Sequence, residues 1–261
     1  MDVSANGVRL HADITGQGPT LIFLHGMCGG GWVWNDQVSR LSADFRCVTY
    51  DRRGHSRSGD GPEPHTVELH ADDAAALIKE LDLAPCVLVG SSGGARVGLD
   101  VVRRHGSLLR GAVLSEPPAG ALAPETWAAM VAEMGSQVGQ AAESGGPRAA
   151  VDAFFDFLCP GLWSAIDEPA KDRYRDNSAM LFADLGMPAY QVTPADLAAN
   201  NLPVQLVAGT QSHPALRAPI QVLASAFPNA ALLELPCGHV TYAEQPAAFA
   251  EAVASFAAGL G

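Results

Sequence analysis

The sequence predicts an α/β fold: a mostly parallel sheet flanked by helices, interrupted late by a helical insertion. Two observations carry the prediction. Strand-like and helix-like stretches alternate from residue 20 to residue 116 and again from residue 202, the order that right-handed βαβ crossovers impose on a parallel sheet. Residues 117–201 instead hold helix-like segments broken at Gly145-Gly146-Pro147, Cys159-Pro160-Gly161 and Gly186-Met187-Pro188, with no convincing strand and no repeat. The expected division is a core of residues 1–116 and 202–261 carrying a helical cap of residues 117–201.

In chain order, "MDVSANGVRLHADITG" sets Asn6-Gly7 between two strand-like runs. Both turn residues tolerate positive φ, so the stretch reads as a hairpin and an antiparallel entry into the sheet. "TLIFLHG" is the continuous apolar run of a strand buried on both faces. Then follow a helix in "WVWNDQVSRL", a strand in "RCVTYD", a helix in "HTVELHADDAAALIKELDL", a strand in "CVLVG", a helix in "ARVGLDVVRRH" and a strand in "GAVLSE". After the insertion come the strand "PVQLVAG", the helix "LRAPIQVLASAF", the strand "ALLELP" and the closing helix "PAAFAEAVASFAAGL". With 261 residues, 48% of them hydrophobic and 17% charged, the chain suffices for one large domain with a sizeable core.

The formal charge of −12 argues against nucleic-acid binding, which needs clustered Lys and Arg, and points to a neutral or weakly polar substrate. Arg52, Arg53 and Arg57 form a local basic trio read as structural or solvated. Neither a signal peptide nor a run of eighteen apolar residues is visible, so no membrane partner is expected and the expected address is the cytoplasm. Cys28, Cys47, Cys86, Cys159 and Cys237 are odd in number and scattered, which fits free thiols better than disulfides or a zinc site. His65 and His70 are placed on a helix surface, and their five-residue spacing does not bring both imidazoles to one face, so no metal is expected. Oligomeric state is left open.

The chemistry centres on "VLVGSSGGARVG". A strand running straight into a helix needs small residues around a sharp turn, and Ser92 at the apex gives Gly90-Ser91-Ser92-Gly93-Gly94, a G-x-S-x-G pattern. Ser91 at the apex would put the branched Val89 against the turning backbone. Ser92 is therefore the candidate nucleophile. His25-Gly26 ends the strand "TLIFLHG", so the N–H of Met27 together with that of Gly93 would form an oxyanion hole, with His25 a structural residue of the loop. His239 follows the last strand and is the candidate base.

Taken together, "HGMCGGGW", "DRRGHSRSG", "GSSGG" and "CGHVTYAEQP" resemble the α/β-hydrolase superfamily over essentially the whole chain. The resemblance implies a mostly parallel eight-stranded sheet, a helical cap after the sixth strand, a Ser-acid-His triad and no cofactor. Two departures appear. Ser56 stands where glycine is common, and the position after the seventh strand where the superfamily most often keeps its acid holds Ser212. Haloalkane dehalogenases and zearalenone-type lactonases take their acid one strand earlier, and here Glu116 stands there. The expected triad is Ser92, Glu116 and His239, with Asp184 and Asp196 as alternative acids.

The expected reaction is hydrolysis of an ester or lactone of a hydrophobic small molecule through an acyl-enzyme. C–C bond hydrolysis, cofactor-free perhydrolysis and a non-catalytic receptor on the same fold are the alternatives. Candidate substrate contacts are Cys28, Trp32 and Val240 beside the catalytic loops, and Trp127, Phe155 and Trp163 on the insertion, although Cys28 also reads as a small packing residue.

Overall fold

The computed structural model describes residues 1–260. Eight strands form one sheet: β1 Asp2–Ala5, β2 Val8–Thr15, β3 Thr20–Leu24, β4 Arg46–Tyr50, β5 Cys86–Ser91, β6 Leu109–Ser115, β7 Val204–Gly209 and β8 Ala230–Leu235, in the order β1-β2-β4-β3-β5-β6-β7-β8. The β1–β2 and β2–β4 pairs are antiparallel and the rest parallel. Asn6 (φ 46°) and Gly7 (φ 74°) make the hairpin turn, and Ala5 pairs with Val8 across it.

The helices are α1 Asn35–Leu41, α2 Val67–Glu80, α3 Gly93–His105, α4 Pro124–Leu158, α5 Pro160–Ala165, α6 Glu168–Arg175, α7 Ser178–Leu185, α8 Pro194–Ala198, α9 Pro214–Ala226, α10 Thr241–Glu244 and α11 Pro246–Gly259. Alternation along the parallel strands builds two cores. On β3, Leu21 and Phe23 pack with Leu41 of α1 and with Phe249 and Val253 of α11, while Ile22 and Leu24 pack with Leu77 of α2, Val97 of α3 and Ile220 of α9. Both faces of the central strands are thus covered, which is why their sequences are unbroken apolar runs.

Between β6 and β7 lie α4 to α8 and, among the described residues, no strand. The longest helix, α4, is two helical runs meeting at Gly146 (φ 78°), just before Pro147. The first run buries Met130 and Met134, and the second buries Val151 and Phe154. Among the described residues no helix is long and apolar enough to cross a membrane. The expectation for His65 and His70 needs correction: His65 precedes α2 and its Nδ1 lies 3.0 Å from His70 Nε2, so the two imidazoles do meet, and His70 is buried, with its Nδ1 facing the Arg52 guanidinium at 3.3 Å. The face of α2 that carries it turns inward because Val67, Ala71 and Ala74 share it.

Candidate active site

The turn between β5 and α3 holds Ser92 at φ 52° and ψ −123°, a left-handed conformation that its surroundings enforce. A Cβ at Gly90 would come within 2.9 Å of Ala95 Cα, and one at Gly94 would overlap the carbonyl oxygens of Leu24 and His25. The turn therefore closes only with glycine two residues before and two after the serine. Its own N–H is anchored on the Ser115 carbonyl at 2.9 Å. Gly93 opens α3, where N–H groups lack partners within the helix. A Cβ at Gly93 would lie 3.4 Å from the Met27 nitrogen, so the loop after β3 passes close to the start of α3.

His239 lies just past β8, with its Nε2 2.9 Å from Ser92 Oγ and its Nδ1 2.6 Å from Glu116 Oε2. Glu116 follows β6, takes φ 44° and is wholly buried. Its carboxylate also accepts from the Gly209 N–H at 2.7 Å and from Ser212 Oγ at 2.6 Å. A carboxylate only accepts, so His239 carries its proton on Nδ1 and turns the Nε2 lone pair to the serine hydroxyl. The side chains of Asp184 and Asp196 make no such contact. Asp184 is buried on Arg52 at 2.7 Å, and Asp196 caps α8 through Thr193. Ser212, in the place of the more usual acid, serves as a donor that holds Glu116.

The surrounding loops show groups that residue-type reasoning missed. Both backbone amides flanking His239, those of Gly238 and Val240, donate to the Glu244 carboxylate, at 2.8 and 3.1 Å. A Cβ at Gly209 would collide with the Gly238 carbonyl, so glycine there lets the histidine loop close. Asn177, between α6 and α7, donates to the carbonyls of Cys28 and Gly29 at 2.9 Å each and accepts from the Ser56 N–H at 2.7 Å. It ties the inserted helices to the loop that follows Met27, and to the very serine (φ 49°) that stands where glycine was expected. No local pattern around Asn177 announces this, because its partners lie 121 to 149 residues away.

Two cavities meet at Ser92 and His239. The smaller, of about 50 Å³, is lined by Phe155, Trp163, Tyr174, Val240 and Tyr242. The larger, of about 570 Å³, runs under the insertion past Trp127, Met130, Met134 and Arg96. Of the candidate substrate contacts, Trp127, Phe155, Trp163 and Val240 line a cavity, and Cys28 and Trp32 line neither. Cys28 is sealed into the core under α4, where burial pushes its thiol up. Trp32 lies against Tyr174, with the Arg173 guanidinium over its ring at 4.1 Å. Aromatic and cation–π contacts to the insertion hold it away from the cleft.

A second polar cluster lies beneath the loop that follows β3. Arg52 is buried, donates to Asp184 at 2.7 Å and to the His25 carbonyl at 3.2 Å, and faces the rings of His55 and His70 at 3.3 Å. Burial first, then the Arg52 charge, hold His25 and His70 well below the ordinary histidine range and bring His55 down to about 3. For Asp184 burial acts to raise the pKa, but Arg52 and the histidines outweigh it and the carboxyl is held well below the usual range.

A family model described as "Alpha/beta hydrolase family" matches residues 21–252. The chain is 36% identical over 113 residues to "Uncharacterized hydrolase YraK" of Bacillus subtilis, a match spanning 42% of each chain. It is 27% identical over 258 residues to the protein named "Putative carbamate hydrolase RutD" of Pseudomonas syringae, covering 95% of this chain and 97% of that one. Among solved structures, a thermophilic esterase from Thermogutta terrifontis superposes with a TM-score of 0.80 at 21% identity, over 100% of this chain and 98% of the other, a likeness of fold.

Proposed function

The chain belongs to the alpha/beta hydrolase family, and from that premise we propose that it is a serine hydrolase cleaving an ester or lactone of a hydrophobic small molecule. The observation that carries this reading is the unbroken relay from Glu116 through His239 to Ser92, at 2.6 and 2.9 Å. Ser92 Oγ attacks the carbonyl carbon while His239 Nε2 takes the hydroxyl proton, and Glu116 balances the imidazolium. The negative charge that develops on the carbonyl oxygen is received by the N–H groups of Met27 and Gly93, each contributing about 3 kcal/mol in comparable sites. The C–O bond to the alcohol breaks as His239 returns the proton to that oxygen. Water then attacks the acyl-enzyme, giving its proton to His239, and the acid leaves as Ser92 regains its hydrogen.

Residues 117–201 act as the cap in this reading, closing the larger cavity over the serine. Trp127 contacts substrate there, while Phe155, Trp163 and Val240 line a chamber sized for a small alkyl group. Apolar walls with few polar groups suit a hydrophobic ligand. A fluorophosphonate probe followed by peptide mapping tests the proposal. Prompt modification of Ser92, with loss of turnover on aryl esters, is expected. No modification at any serine, with no turnover of esters or lactones, would favour a binding protein on the same fold.

A further inference from the structure

Arg96 lies in the first turn of α3, and its backbone N–H donates to the Ser92 carbonyl at 2.9 Å. It lines the larger cavity together with Ser92 and His239. The two fully buried arginines, Arg52 and Arg53, each have a buried aspartate at 2.7 Å. Among the described residues Arg96 has no carboxylate within ion-pair reach: its Nη2 meets the Met187 sulfur at 3.7 Å, and its Nε is shielded from solvent without a partner there. Asp184 borders the same cavity, but it is already engaged by Arg52, and its Oδ1 is itself unpartnered. Burial above all opposes the charge on Arg96, Asp184 favours it, Arg52 opposes it and Glu68 favours it, with the net effect of lowering its pKa. A half-buried guanidinium whose Nε is shielded and which has no anion beside it is an arrangement that a ligand carboxylate would relieve, with charge-assisted hydrogen bonds.

We infer that Arg96 receives a carboxylate carried by the substrate, so that the ester or lactone cleaved at Ser92 bears an acid group a short spacer away from its scissile carbonyl. This rests on the serine-hydrolase reading and narrows its substrate class. The net charge of −12 pointed to a neutral substrate. That charge acts at long range and is screened within about 10 Å in ordinary salt, whereas Arg96 acts by contact inside an apolar cavity.

The test compares the mono-para-nitrophenyl ester of glutaric acid with para-nitrophenyl valerate, of equal chain length. The ratio of kcat/KM for acid ester over neutral ester is expected to fall about ten- to hundredfold in Arg96→Met and to recover in part in Arg96→Lys. Fluorophosphonate labelling of Ser92 in each variant reports an intact site. An unchanged ratio in a labelled Arg96→Met protein overturns the inference while leaving the hydrolase reading in place. The carboxylate site is also tested without turnover, in Ser92→Ala protein. Glutarate is expected to raise its Tm, an effect that Arg96→Met removes, and inorganic phosphate is expected not to reproduce it. Equal stabilisation by phosphate, or by glutarate with and without Arg96, counts against a substrate-carboxylate site.

Discussion

Two clusters in this chain set histidines near a buried carboxylate, and they are wired in opposite senses. In the first, Glu116 lies behind Nδ1 of His239, and the Nε2 lone pair faces Ser92 and two cavities. In the second, the lone pairs point at Arg52: His25 Nε2 accepts the Arg52 backbone N–H at 2.9 Å, and its Nδ1 donates to the Gly26 carbonyl at 2.8 Å. His55 is held likewise, Nδ1 donating to the Arg53 carbonyl at 3.0 Å while Nε2 faces the Arg52 guanidinium. Both nitrogens of these rings are spent, and the carboxylate of Asp184 neutralises an arginine. Having histidine and an acid together does not make a base; what decides is which lone pair remains free and what it faces.

The sharpest break in the comparison is Ser92→Ala, expected to lower kcat on an activated ester by about 10⁶-fold, since members of such a relay act as a unit. Within the second cluster Asp184→Asn leaves the Arg52 charge buried without its partner and is expected to destabilise the fold by about 3–5 kcal/mol, read from urea unfolding. A change under about 1 kcal/mol would mean that the cluster does not hold the fold.

Acid distinguishes the clusters in another way. In the folded state His25, His55 and His70 stay unprotonated below the ordinary pKa of about 6.5 that they regain on unfolding. The unfolded chain therefore binds more protons than the folded one as pH falls below 6.5, down to about 3 in the case of His55. This contribution to stability is complete above pH 6.5 and is lost as pH falls, by up to about 1.4 kcal/mol per pH unit for each ring. Urea midpoints at pH 7 and pH 5 should differ accordingly, and His55→Gln should shrink the difference.

Smaller effects come from the loops. Asn177→Ala is expected to lower kcat about tenfold with little change in KM, because the Cys28 and Gly29 carbonyls that it fixes follow the proposed oxyanion donor Met27. A rise in KM at constant kcat would place its influence in ground-state binding instead. Ser212→Ala, which removes one of the donors on Glu116, should cost a few-fold in kcat.

What the sequence made legible was local or tied to chain order. The glycines around Ser92 stand within one turn of it, and strand periodicity placed Glu116 and His239 after β6 and β8 without reference to distant partners. What stayed hidden depends on how residues 117–201 settle on the sheet. Asn177 and Asp184 meet partners 121 to 149 residues away. The withdrawal of Trp32 against Tyr174 and the missing counterion of Arg96 are likewise outcomes of long-range packing. No spacing rule encodes such pairings; cavity-lining residues can be read only once the inserted helices have a position.

The most direct test of the account is kcat/KM on one aryl ester for Glu116→Gln beside Asp184→Asn, both at a temperature where circular dichroism shows them folded. The account predicts a loss of about 10⁴-fold for Glu116→Gln and at most about tenfold for Asp184→Asn, whose carboxylate makes no contact with His239. Near-wild-type turnover in folded Glu116→Gln, or collapse of activity in folded Asp184→Asn alone, would contradict it.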